Sequence, residues 1–141
     1  MTSLAVTVNI GSGPGNTSAR TEGMRAWAVR IVAEVRPTLV FAQEVPSYGW
    51  VDVWTRAGYQ EPILGPDRGW RIRSALIADS DVDVRPLTIE ECPTLQYHGS
   101  YLAAALWRDA PGGPCAVVSV HASPSPAEPD RYGWDGVEVL P

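Results

Sequence analysis

Cysteine is scarce: Cys92 and Cys115 are the only two in 141 residues. They stand too far apart for a CxxC redox or metal motif and are too few for a disulfide scaffold, so both read as free thiols. Positive charge is also short. Eleven basic against 16 acidic side chains leave a net charge of −5, which excludes a general electrostatic attraction to DNA or an anionic membrane. A phosphate ligand would need local chemistry. There is no long apolar run, and the opening residues, MTSLAVTVNIGSG, lack both the basic flank and the apolar length of a signal peptide or a membrane span. The expectation is a cytoplasmic protein with no membrane span. No internal repeat appears, so solenoid architectures are set aside.

What is plentiful is punctuation. With 13 glycines and 13 prolines, turns are frequent, while an apolar fraction of 45% keeps the chain in the globular range. The length suits one domain but would strain a pair of full sheets with helices on both outer faces.

Leu4–Ile10 alternates Leu4, Val6, Val8 and Ile10 on one face with Ala5, Thr7 and Asn9 on the other, the period of a strand. After GSGPGNTS, the residues Met24, Trp27, Ala28, Ile31, Val32 and Val35 recur at helical spacing until Pro37 stops them. Thr38–Val45 is apolar on both faces up to Gln43 and Glu44, as in a strand covered on both sides. Tyr48, Val51, Trp54 and Ala57 mark a short helix that Gly58 is placed to end. Beyond this the pattern changes to hairpins: RIRSALIA, a DSD turn, then VDVRPLT, which Pro86 confines to an edge or a bulge. SYLAAALW and CAVVSVH, joined across Gly112-Gly113, read as antiparallel neighbours. Residues 122–141 read as a loop-rich tail.

Three polar positions stand at strand ends: Asn9, Glu44 (after Gln43) and His121. A helical crossover implies that the first two strands are parallel, so their C-terminal ends share the sheet edge at which α/β proteins place their sites. A carboxylate beside a carboxamide supplies hard oxygen ligands, suited to Mg²⁺ with most of its waters retained. Each residue also has a plainer use. Asn9 can form an Asx-turn, Glu44 can be a solvated strand exit, and His121 can close the last strand on a backbone group.

The stretches VTVNIGSG, LVFAQEV and AVVSVHASP, in this order and spanning most of the chain, resemble the endonuclease/exonuclease/phosphatase superfamily, in particular its deoxyribonuclease I-like members. The resemblance implies an α/β (α+β) fold: a mixed β-sheet flanked by helices, half of a four-layer α/β/β/α sandwich, with 1–141 as a single partial domain. It implies a metal-dependent phosphodiesterase of the endonuclease type. Glu44 and Asn9 would bind Mg²⁺ or Mn²⁺, and Asn9 and His121 would act on the phosphate of a phosphodiester substrate, a nucleic acid among the options. The family's later Gly-Asp-x-Asn and Asp-His motifs do not follow His121. The chain therefore reads as an N-terminal half, whose exposed sheet face a missing C-terminal half or a homodimer would cover. The alternative is a catalytically inactive fragment or an oligomeric interaction module of the same fold.

A dinucleotide-binding loop at VNIGSGPGN is a poor fit, because Asn16 stands where the third glycine is needed. Arg71 and Arg73 are either phosphate contacts or, more plainly, exposed strand-edge residues, and His98 reads as a surface residue. Trp27, Trp54 and Trp107 read as core, and Trp70 and Trp134 as loop residues open to other roles.

Overall fold

Alternation in the first strand is realised as expected: in a computed structural model of the chain, β1 (Ala5–Asn9) turns Val8 and neighbouring Ile10 into the core and leaves Ala5, Thr7 and Asn9 exposed. The structure describes residues 3–10, 17–46, 49–65, 72–93, 95 and 102–121. The expectations for Asn16, Tyr48, Trp70, Arg71, His98, Trp134 and the tail 122–141 lie outside these residues.

Helix α1 (Thr17–Glu34) buries Met24 and Ala28 fully and Trp27, Ile31 and Val32 in part, and it ends before Pro37 as its sequence requires. Val35, expected on the same stripe, is 40% exposed because it follows the last helical turn. Arg36 takes a φ of 44°, which turns the chain toward β2 (Leu39–Pro46). The helical crossover makes β1 and β2 parallel, with Ala5 opposite Leu39 and Asn9 opposite Gln43. Helix α2 (Val51–Arg56) follows and stops at Gly58, whose φ of 84° suits a residue without a Cβ.

The remaining strands are β3 (Ile63–Leu64), β4 (Ile72–Ala78), β5 (Val84–Pro86), β6 (Leu102–Trp107) and β7 (Cys115–Val120). They divide between two sheets ordered β1-β2-β4-β3 and β5-β6-β7. This corrects the expected hairpin between β4 and β5. The turn at 79–81 carries the chain from one sheet to the other: β4 pairs with β2 and β3, while β5 pairs with β6. The reason is facial. Leu76 and Ala78 of β4 and Val84 of β5 join one core cluster and so face each other across a layer rather than lying side by side. Pro86 lies on a flanking strand, as its missing N–H demands. The β6–β7 pair is antiparallel, with Trp107 opposite Cys115 and Leu102 opposite Val120, and Gly113 at φ 100° in the connection.

The fold is thus mixed α+β with two sheets. On one face of the first sheet lie α1 and α2, over Val40, Ala42, Val45, Ala75 and Ile77. On the other lies the second sheet, over Leu39, Leu76 and Ala78, with Ala103 and Ala105 from β6 and Val117 from β7. The first sheet is mixed, as expected, with its β1–β2 pair parallel and its β2–β4 pair antiparallel, and it carries helices on one face, while the chain itself supplies a second sheet over the other. What stays open is the outer face of β7, where Val118 and Val120 are 42% and 44% exposed. Arg73, expected at an exposed edge, instead lies on the inner strand β4 and donates through its guanidinium to the Gly65 carbonyl. No helix among the described residues is long and apolar enough to cross a membrane.

Candidate functional site

The two parallel strands end together. Asn9 and Gln43 are in register, and the Ile10 N–H still donates to the Gln43 carbonyl at 3.0 Å, so the ladder persists to the tip. There the neighbouring β2–β4 ladder changes register. Ala42 pairs with Ala75 but Val45 pairs with Arg73, so Gln43 and Glu44 together oppose Ser74 in a β-bulge. Ala42 and Val45, three residues apart, consequently both face the helices, a spacing that an unbroken strand of period two forbids.

Glu44 makes this possible by adopting φ 54°, a left-handed conformation that costs an L-residue about 1–2 kcal/mol. Such conformations in non-glycine residues concentrate at functional sites, where the surrounding structure enforces them. Freed from the strand's alternation, the carboxylate meets side chains from two other strands. The Asn9 side-chain amide donates to Glu44 Oε1 at 3.3 Å, and His121 Nε2 lies 3.5 Å from the same oxygen. His121 and Glu44 are half-shielded, with side chains 20% and 19% exposed. His121 arrives from the second sheet, one residue beyond β7.

All three residues singled out from the sequence therefore come together at one sheet edge. The sequence placed Gln43 beside Glu44 but gave it no role, and it did not single out Ser119. The Gln43 side-chain amide donates to Ser119 Oγ at 3.2 Å, to the Phe41 carbonyl at 3.2 Å and, weakly, to Thr7 Oγ1 at 3.5 Å. Ser119, 1% exposed, in turn donates its hydroxyl to the Ala42 carbonyl at 3.1 Å. The available signal was the alternation of CAVVSVH, which puts Val117, Ser119 and His121 on one face.

Chemically, the cluster offers one carboxylate, one carboxamide and one imidazole, which together supply oxygen acceptors and ring and amide N–H donors. Among the described residues no three His, Cys, Asp or Glu side chains gather as a metal cage. The donor set suits a hard divalent cation that keeps most of its waters, and it does not suit a closed zinc site. Comparison with protein-family models, curated proteins and solved structures returns no match.

Proposed function

We propose that the cluster of Asn9, Glu44 and His121 is a divalent-metal-dependent phosphodiester-hydrolysing site of the endonuclease/exonuclease/phosphatase kind, built on part of a four-layer α/β/β/α sandwich. The observation that carries this reading is the convergence of Asn9 and His121 on one oxygen of a left-handed Glu44. Three residues separated by up to 112 positions meet there through two different sheets (His121 minus Asn9). A merely solvated strand exit would need neither the bulge nor the two partners.

Glu44 and Asn9 are the residues that would hold Mg²⁺ or Mn²⁺, since they supply the oxygen donors. An ion held there would supply positive charge to offset that of the phosphate. His121 stands beside that position with an imidazole able to donate a hydrogen bond or a proton to a phosphate oxygen as negative charge develops on it. Asn9 fixes the orientation of the Glu44 carboxylate through its amide. The net charge of −5 argues against capture of nucleic acid by long-range attraction, so binding would depend on this local chemistry.

The test is hydrolysis of a bis-aryl phosphodiester by the purified chain. The expected result is Mg²⁺- or Mn²⁺-dependent turnover that is lost in Glu44→Ala and in His121→Ala, each by about 100-fold or more. Turnover indifferent to metal, or unchanged in either variant, refutes the proposal. A second reading, an interaction module without turnover, draws support from the exposed outward row of Val118 and Val120. It predicts no metal-dependent hydrolysis, together with a change in association state when both valines are replaced by threonine.

A further inference from the structure

The approach of His121 to Glu44 crosses from one sheet to the other, and most of what joins the sheets is non-directional. Leu39, Leu76, Ala78, Ala103 and Ala105 form an apolar layer that favours contact but does not by itself define sub-ångström register. Near the site a different kind of link appears. Ser119 and Ser74 are the buried polar residues among those described, and Ser119 sits where an alanine or valine would pack without desolvating a hydroxyl.

Both hydrogen-bonding capacities of that hydroxyl are used on the opposing strand. It donates to the carbonyl of Ala42, the last residue before the β2–β4 register breaks, and it accepts from the side chain of Gln43, the next residue. Glu44 departs one residue after this double attachment. His121 departs two residues after Ser119, on the same face of the strand and just past the last β6–β7 pair. The two side chains that meet at 3.5 Å thus leave from opposite halves of one hydrogen-bonded clamp.

We infer that Ser119 is a positioning residue for this site: through Ala42 and Gln43 it sets the spacing between the imidazole of His121 and the carboxylate of Glu44. The inference rests on the functional reading above for its kinetic consequence, but its geometric content stands apart from any activity. Ser119 touches no substrate in this scheme. Its effect is to keep β7 from sliding along β2, and a misplacement of about 1 Å in a catalytic group can cost about 100-fold in rate.

The experiment compares the full chain with Ser119→Ala and Gln43→Met in two measurements. The first is the NOE cross-peak between the His121 ring and the Glu44 γ-protons in isotope-labelled protein. The second is the split between kcat and KM for the phosphodiester. Both variants are expected to lose or strongly weaken the cross-peak. Their kcat should fall about tenfold or more with KM changed less than twofold, and the double variant should be little worse than Ser119→Ala alone. A folded Ser119→Ala that keeps the cross-peak and the kcat of the unaltered chain overturns the inference. If Ser119→Ala does not fold, Ser119→Cys decides it by the same two readings, because a thiol of similar size is a much weaker donor and acceptor toward Ala42 and Gln43. If the unaltered chain shows no metal-dependent hydrolysis, the functional proposal fails alone and the cross-peak still decides whether the clamp exists.

Discussion

Replacing Glu44 by glycine and by alanine separates the backbone from the side chain at the centre of the site. Both variants remove the carboxylate, so both lose the Asn9 and His121 contacts equally, and their difference reports the backbone alone: what φ 54° costs a residue with a Cβ, set against glycine's greater loss of chain entropy. In an ordinary strand, glycine is less stable than alanine by about 0.5–1 kcal/mol, through the entropy of the unfolded chain. At residue 44 the left-handed conformation costs alanine about 1–2 kcal/mol that glycine is spared. The balance reverses the usual sign: Glu44→Gly should be more stable than Glu44→Ala by about 0.5–1 kcal/mol. For a chain of 141 residues this is a difference of about 2–3 °C in melting temperature. Urea unfolding of the two variants, with m-values compared to exclude a changed denatured state, measures it directly. If alanine equals or exceeds glycine, residue 44 is not left-handed. The bulge would then not be what aims the carboxylate, and the account of the site would lose its structural basis.

A matched pair of tryptophans tests the packing beneath the helices. Trp50 and Trp54 are both fully buried, but Trp50 Nε1 donates to the Pro46 carbonyl at 2.6 Å, whereas Trp54 Nε1 has no acceptor among the described residues. Trp50→Phe should therefore destabilise more than Trp54→Phe by about 1 kcal/mol in urea unfolding, because it strands a buried carbonyl, and equal losses would contradict this assignment. A third test concerns Glu91, whose carboxylate is held at a pKa of about 2, first by the hydrogen bond from Arg85 and then by the Thr88 N–H. Its folded-state pKa lies below the ordinary 4.5, so its stabilising contribution is present above pH 4.5 and is lost as pH falls through about 2. A ¹³C titration of the Glu91 carboxyl should show that low midpoint, and Arg85→Ala should move it upward. An unmoved midpoint would mean that the ion pair does not form in solution.

Much of the site was legible because it depends on local periodicity and one handedness rule. Alternation placed Asn9 opposite to Val8 and Ile10, a helical crossover made β1 and β2 parallel, and those two facts alone bring Asn9 to the tip beside Gln43. His121 was legible for the same reason, since Val117 and His121 share a face whatever that face covers. The division of β4 and β5 between sheets was not legible. A strand, a tight turn and a strand have the same local pattern whether the second strand pairs with the first or crosses to another layer, and only the packing of Leu76, Ala78 and Val84 into one core selects the crossing. Neither was the bulge, because nothing in the residue type of Glu44 or its neighbours announces a positive φ.

Composition, periodicity and strand order were enough to determine which side chains would reach the C-terminal edge of the first sheet, because each follows from backbone geometry over a few residues. Whether they would touch was decided by tertiary structure. The second sheet had to stack on the first, Ser119 had to find Ala42 and Gln43, and Glu44 had to be held in a conformation that it would not adopt alone. Those outcomes depend on contacts between residues far apart in the chain, whose combined free energy outweighs the local preference of any one of them.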